Sequence, residues 1–498
     1  MYYLAASCIA LLLGPLFYRY FSSGSGLQKG LDGFIFVSLG GLVLIHILPE
    51  LIEHGGLASI LFVIIGLWGP TASEKLFHKY SEITHNLTLI LGIGGLLLHT
   101  LTDGSVMVLA QQQGNSALLA LGIILHRLPV GLAIWWLLKP QVGTKWAWIV
   151  LITMMALTGI GYFAGTQMLT HLSIDNTVYL QAFVTGSILH VVLHQPHGEN
   201  HSHDSSKYEY QAGIGSILGV VLLVILLSLE HGHNEHVHAS VDLTQWIVLL
   251  SPALLIAYLV ASIRFRLGLK PDSHHLGLCW LQRLAGPEAL IISLLLLGPS
   301  MMLIQIGSLL LVGAYLTYYQ IPLTQDNNTP PHSSLAFGFG YQVQKSAPWI
   351  LLSLILVNLI GHPSSLLANP ITQILLLSML FLPMRFCNLG AAVLALALAF
   401  NGWSDIVVLL ALIAAPILNL AQLKLMNLKQ RVGLFILILL LLAVSLMTPL
   451  VWQQFLIIPH GVDLLSVAVI ACLFTASLLK MGPRKFLSQL MLKPANKM

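Results

Sequence analysis

Apolar runs long enough to cross a bilayer recur along the whole chain, and few charges interrupt them. Runs of roughly 17–25 residues cover about 30 Å of hydrocarbon as helices. This pattern predicts an all-α, polytopic integral membrane protein surrounded by lipid bilayer. Only 8% of the 498 residues are charged while 57% are hydrophobic, so a charged surface for a soluble fold is missing. The first run, 3–18, lacks a basic start and is followed by Arg19, so it reads as a retained span and not as a signal peptide. The four cysteines, Cys8, Cys279, Cys387 and Cys472, fall in or beside apolar runs with no C-x-x-C spacing. That argues against a disulfide framework or a thiolate zinc site. The net charge of +4 is carried in short loops, which suits topology signalling and not nucleic-acid binding.

The first half reads as eight spans: 3–18, 34–51, 57–70, 87–111, 117–138, 146–168, 179–195 and 211–229. Loops after the first, third, fifth and seventh carry Arg19, Lys29, Lys75, Lys79, Lys139, Lys145 and Lys207, and the alternate loops carry no Lys or Arg. The positive-inside rule then puts the N-terminus outside the cytoplasm. Two histidine-rich stretches follow, "HQPHGENHSHD" at 194–204 and "EHGHNEHVH" at 230–238. Such tracts gather metal ions weakly, in a pH-dependent way, or act as solvated spacers. The second stretch marks a boundary. The expected organisation is a domain over 1–230, a His-rich linker over 231–245 and a second transmembrane domain over 246–498.

The second domain has apolar runs near 246–263, 287–319, 347–360, 370–383, 388–400, 405–423, 432–452 and 463–479. It carries a weak internal echo. "LLSPALLIAYLVASI" resembles "KSAPWILLSLILVNLI", and "LLLGPSMMLIQI" resembles "LIAAPILNLAQL", with Pro299 and Pro416 in matching places. Paired, Pro-interrupted segments point to a transporter built from two repeats.

The residues that carry chemistry lie mostly in the first domain. "LLLHTLTDG" places His99 and Asp103 four apart on one helix face, and "LHRLPVGLA" adds His126 just before Pro129. Imidazole nitrogen and carboxylate oxygen suit a borderline divalent ion such as Zn²⁺. Three such groups at membrane depth on consecutive spans imply a metal or proton role. His46, Glu50, Glu53 and His54 in "LIHILPELIEHGG" read as a cation-attracting entrance, or as an ordinary polar helix end. His190 and His194 in "GSILHVVLHQ" read as an exit or relay, or as interfacial histidines.

The ordered set of motifs resembles the ZIP family of divalent metal transporters. His46-Ile47-Leu48-Pro49-Glu50 is similar to that family's H-x-L-P-[DE], and His99 to Gly104 to its H-[SN]-x-x-[DE]-G. His126 to Gly131 matches its H-[DEQ]-x-x-E-G in part. The resemblance spans about 1–230 and implies an eight-helix bundle with external ends, plus a metal site between the fourth and fifth spans. His99, Asp103 and His126 are the implied ligands of its first position. This chain departs at three places: Thr100 replaces an Asn or Ser, Arg127 an acidic or amide residue, and Val130 a glutamate. The second metal position is therefore expected to be absent, with Arg127 paired to Asp103 as a fixed cation.

The stretch 385–423 resembles a family of predicted permeases that includes organoarsenical efflux proteins, on Cys387, Gly390, Gly402, Pro416 and Asn419. Cys279 and Gly286 are loose counterparts in the first repeat. The resemblance implies a second bundle of Pro/Gly-interrupted helices. Cys387 then offers a soft sulfur ligand or packs as a small hydrophobe. Asn358, Asn419 and Gln422 line a polar path or bond between helices. The expected function is passage of a divalent metal, zinc by ligand type, as substrate and with no resident cofactor. The expected setting is a bacterial inner membrane, with a homodimer left open. Two alternatives stand: a non-transporting metal sensor or accessory subunit, and a metalloid or organic-ion permease carried by the second domain. An enzyme is not expected, since neither "HVVLH" nor "HILPE" completes H-E-x-x-H.

Overall fold

The computed structural model describes residues 2–20, 26–76, 117–169, 209–230, 243–267, 276–322, 335–360, 369–446 and 460–490, apart from Ala285, Arg385 and Gln489, with scattered positions in 93–107 and 178–189. Some side chains within those helices, among them those of His46, His126, Cys279 and Asn358, lie outside the described set. Regular structure among the described residues is helical. Six helices among the described residues are long and apolar enough to cross a membrane: Lys29–Gly56, Val142–Ala164, Glu209–Leu226, Trp246–Arg264, Pro299–Tyr318 and Gly461–Leu487. These are the features of an all-helical membrane protein. The chain divides into two compact units, Met1–His236 with Leu478–Pro483, and Val237–Ser477 with Arg484–Met498.

In the first unit, α1 (Tyr2–Tyr20) packs along α4 (Ala117–Leu169), and α2 (Gly26–Leu42) along α5 (Glu209–Glu230). Glycines set both contacts. A Cβ on Gly14 would strike the backbone of Gly131, and one on Gly33 the backbone of Ala212. Helices in membranes approach this closely only through such small residues.

Left-handed glycines break the long helices. Gly56, at φ 60°, interrupts α3 (Leu48–Leu76), and the Ser59 hydroxyl donates to Leu51 O at 2.7 Å across the break. Gly143, at φ 85°, interrupts α4. The left-handed Gly143 falls between the fifth and sixth expected spans, 117–138 and 146–168, and the second of them is met as the stretch Val142–Ala164. A π turn, Val43–Ile47, sits between α2 and α3, closed by the Leu48 N–H reaching Val43 O. Pro49 follows immediately. It has no N–H for the Ile45 carbonyl, and the wider turn absorbs the missing bond.

In the second unit, α6 (Leu243–Arg266) packs against α8 (Pro287–Ile292) and α10 (Leu335–Ile360). Both α8 and α10 pack against α12 (Asn388–Phe400), which closes a ring of four helices. Short α7 (Leu276–Leu284) is tied down by Trp280, whose indole N–H donates to Ile321 O at 2.9 Å. The run 287–319, expected as one span, is two helices. After α8 comes a π turn, Ser293–Leu297, then Gly298 at φ 95°, then α9 (Pro299–Tyr318). Among the described residues, each unit thus carries a π turn that ends two residues before a proline.

The run 405–423 is also broken. α13 (Asp405–Ala414) ends before Pro416, and short α14 (Leu420–Lys424) restarts with the Asn419 side chain capping Gln422 N at 2.9 Å. α12 and α13 pack as a hairpin, with α11 (Pro370–Phe381) and α15 (Leu428–Leu446) against α13. At 13 and 10 residues they reach only about 20 and 15 Å, too short for a bilayer. Every residue from Leu389 to Leu398 and from Val407 to Ala414 is buried. A buried half-span of this kind is tolerated because protein, not lipid, surrounds the body of both helices. Gly402, at φ 75°, makes the turn: its N–H bonds Ala399 O, and the Trp403 N–H bonds Leu398 O, at 3.1 Å each. That is a Schellman cap.

Close packing at Gly131 gives a direct expectation. Gly131→Val forces a branched side chain into the α1 backbone and is expected to cost at least about 1–3 kcal/mol. Gly159, on the same helix, has open space around its missing Cβ, so Gly159→Ala is expected to be neutral or to gain up to about 1 kcal/mol. Thermal unfolding of the two variants in detergent checks the contrast.

Candidate functional site

Asp103 and Arg127 form the polar centre of the first unit. Arg127 is among the largest fully buried side chains, with 1% of its surface exposed, and Asp103 is buried beside it. Arg127 Nη2 lies 2.9 Å from Asp103 Oδ2 and donates to Thr100 O at 3.2 Å. The other carboxylate oxygen, Oδ1, faces His99 Nε2 at 3.7 Å. One carboxylate therefore divides its oxygens between a guanidinium and an imidazole. The i, i+4 spacing of His99 and Asp103 puts both on one helical face, and the imidazole, 38% exposed, is the more accessible of the two.

Burial makes the pair consequential. A buried guanidinium without a counter-charge is strongly destabilising, and a charge-assisted bond at this distance is what offsets its desolvation. Arg127 is still incompletely satisfied: Nε and Nη1 are buried without a hydrogen-bond partner among the described residues. Thr100 keeps its hydroxyl inside its own helix, donating to Leu96 O at 2.7 Å, so its contribution to Arg127 is the backbone carbonyl. Val130, one turn from Arg127, is buried and apolar.

The two motif glycines serve the packing of this site. A Cβ on Gly104 would meet Thr158 O and Tyr162 N, and one on Gly131 would meet the backbone of Leu11. The Asp103 and Arg127 segments are thereby held against the part of α4 beyond Gly143 and against α1. Reading the motifs for ligands missed this role, because what a glycine leaves room for is not in its own neighbourhood of sequence. Cys8 on α1 also lies within electrostatic reach of Arg127.

His126 belongs to α4, but its side chain lies outside the described set, as does that of His46. Among the described residues no three of His, Cys, Asp and Glu converge as a metal-holding group. Glu50, Glu53 and His54 are exposed on α3 beside the break at Gly56. His190 and His194, and the stretches 194–204 and 231–238, fall outside the described residues.

In the second unit the Cys387 thiol caps α12, accepting from Gly390 N at 3.2 Å. Asn419 is fully buried, with its Nδ2 unpartnered among the described residues, and Gln422 Nε2 donates to Pro322 O at 2.8 Å. Asn358 lies on α10, its side chain outside the described set. Sequence reasoning did not single out Glu288, which is buried with Arg264 Nη2 and Asn388 Nδ2 both 3.1 Å from its Oε1. The available signal was an acidic residue opening an apolar run, after a span that ends in arginine.

Fold and site together define a class, an all-helical membrane protein with a buried Asp–Arg pair beside a partly exposed histidine in its first unit. No family model matches the chain, and neither curated proteins nor solved structures give a match.

Proposed function

We propose that the first unit moves a divalent metal ion, zinc by ligand type, across the membrane in the manner of the ZIP family its motifs resemble. The substrate is held by His99, Asp103 and His126. The observation that carries this reading is the division of the Asp103 carboxylate. Oδ2 is taken by Arg127, while Oδ1 stays beside His99 Nε2, so one oxygen and one imidazole nitrogen face the same place. Such a pair is the kind of donor set zinc accepts. Arg127 stands where a second ion would otherwise balance the carboxylate, and the site takes a single ion. Ligand protonation competes with binding, so uptake falls as the imidazoles become charged. The N-terminus is external in this reading, and the membrane is a bacterial inner membrane. The His-rich stretches flanking the last span collect the ion.

His99→Ala removes a ligand without touching the Asp103–Arg127 pair. It is expected to abolish zinc uptake by proteoliposomes of the full chain while leaving thermal stability near wild type. Uptake at the wild-type rate would exclude this site.

The same 2.9 Å pair favours one rival, a metal sensor or accessory subunit in which Arg127 neutralises Asp103 and keeps metal flux at zero. Another, a metalloid or organic-ion permease in the second unit, draws on the buried α12–α13 hairpin and on Cys387 at its start. Zinc flux through purified wild-type protein separates the first reading from both.

A further inference from the structure

We infer that the end of the second unit built around the C-terminus of α9 binds an anionic phospholipid, with Lys424 and Lys429 taking the headgroup and an apolar stripe on α15 taking an acyl chain. Three elements converge on that helix end. The Trp280 indole ties α7 to Ile321 O, Gln422 Nε2 ties α14 to Pro322 O at 2.8 Å, and the Tyr315 hydroxyl donates to Gln430 O in the first turn of α15 at 2.9 Å. Gly433 leaves room for the last of these bonds, since a Cβ there would strike the Tyr315 hydroxyl. Lys424, in the last turn of α14, and Lys429, in the first turn of α15, are thus carried to the same end of α9.

The charge at this end is of one sign. Residues 299–322 and 406–446 contain no Asp or Glu. Lys424 and Lys429 are exposed, and neither has a partner among the described residues. Arg431 is exposed beside them, its Nε donating to Met426 O at 2.9 Å. α6, whose last turn holds Arg264 and Arg266, leads into α7 with Arg283 and ends on the same side. The positive-inside rule turns this side to the cytoplasm, where a leaflet with a negative surface potential attracts basic side chains next to a span.

Tyrosines mark the depth. The rings of Tyr315, Tyr318 and Tyr319 pack in a row, with centroids 4.8 Å apart for Tyr315–Tyr319 and 5.1 Å for Tyr318–Tyr319, and Tyr318 is 81% exposed. Tyrosine collects at headgroup level, where its ring meets acyl chain and its hydroxyl meets water. From that level Leu428, Val432 and Phe435, all exposed, follow one another at i, i+4 and i+7 along α15. That spacing makes one continuous stripe. Its interfacial end is flanked by Lys429 and Arg431, whose long stems lie along apolar surface while their charges stay in water. An apolar stripe that starts among basic groups, with no acidic residue on the helices that carry it, complements a lipid with a negatively charged head. A zwitterionic lipid covers the stripe and leaves the lysine charges unanswered. Free phosphate answers the charges and leaves the stripe bare. The site is independent of the metal reading of the first unit.

Native mass spectrometry of the full chain in neutral detergent tests it, with phosphatidylglycerol, phosphatidylcholine and inorganic phosphate titrated in separate arms. Wild type is expected to bind phosphatidylglycerol more tightly than phosphatidylcholine, and phosphate at the same concentrations is expected not to displace either lipid. Lys424→Gln with Lys429→Gln is expected to weaken phosphatidylglycerol about fivefold per charge removed, the effect of one basic residue beside an anionic surface, and to leave phosphatidylcholine unchanged. Both lysines are exposed and unpartnered among the described residues, so this variant keeps the fold. Leu428→Ser with Val432→Ser is expected to weaken both lipids. Equal affinity for the two lipids in wild type, an undiminished preference for phosphatidylglycerol in the lysine variant, wild-type binding of both lipids by the serine variant, or displacement of lipid by phosphate overturns the inference.

Discussion

Asp103→Ala is expected to abolish zinc uptake and to lower stability by about 3–5 kcal/mol, because it removes one ligand and strands a buried cation together. Arg127 has 1% of its surface exposed, and its charge contact is the Asp103 carboxylate at 2.9 Å. Without that carboxylate the guanidinium keeps, among the described residues, the Thr100 carbonyl and two donors without partners. A loss of this size is a large share of the roughly 5–15 kcal/mol that holds a domain folded. The two effects separate in a double-mutant cycle. Asp103→Asn with Arg127→Gln removes both charges and is expected to be more stable than either single change, while uptake stays absent. Denaturation of the four proteins in detergent, alongside vesicle uptake, checks both parts.

Arg127→Asp has the second large effect, and its sign depends on metal. Two carboxylates in place of an ion pair leave a buried site with excess negative charge, and the metal-free protein is expected to lose several kcal/mol. Zinc supplies the missing positive charge. A ligand that binds only the folded form stabilises it by about 2.7 kcal/mol at a hundredfold excess over its dissociation constant. The variant is therefore expected to melt far lower than wild type in chelator and to recover on adding zinc, by more than wild type gains. Scanning calorimetry in both conditions measures the difference.

Much of this architecture is legible in the sequence because membrane insertion leaves few solutions. The apolar runs locate the helices, and Gly298-Pro299 announces the break between α8 and α9. The pairing of Arg127 with Asp103 is also readable, since an arginine at membrane depth demands a partner and Asp103 is the acidic residue on the preceding run. Hydropathy fails where length in space differs from length in sequence. Residues 406–418 are continuously apolar, yet the chain leaves its helix at 415–419, and the 13- and 10-residue helices of the hairpin are half-spans surrounded by protein. Burial by protein and burial by lipid produce the same residue types. The junction at Gly143 is legible by contrast, since Lys139, Pro140 and Lys145 separate two apolar runs and the left-handed glycine falls among them. Glu288 escapes notice for a different reason. Its partners, Arg264 and Asn388, are 24 and 100 residues away and come together only in the fold.

The central claim is that Arg127 occupies the place of a second metal ion beside a single-ion site. The direct measurement is the zinc content of the purified full chain, wild type against Arg127→Asp, after equilibration with zinc and removal of excess. The account predicts one ion per wild-type chain and two in the variant. Equal content in the two proteins, or no zinc in wild type, would contradict it.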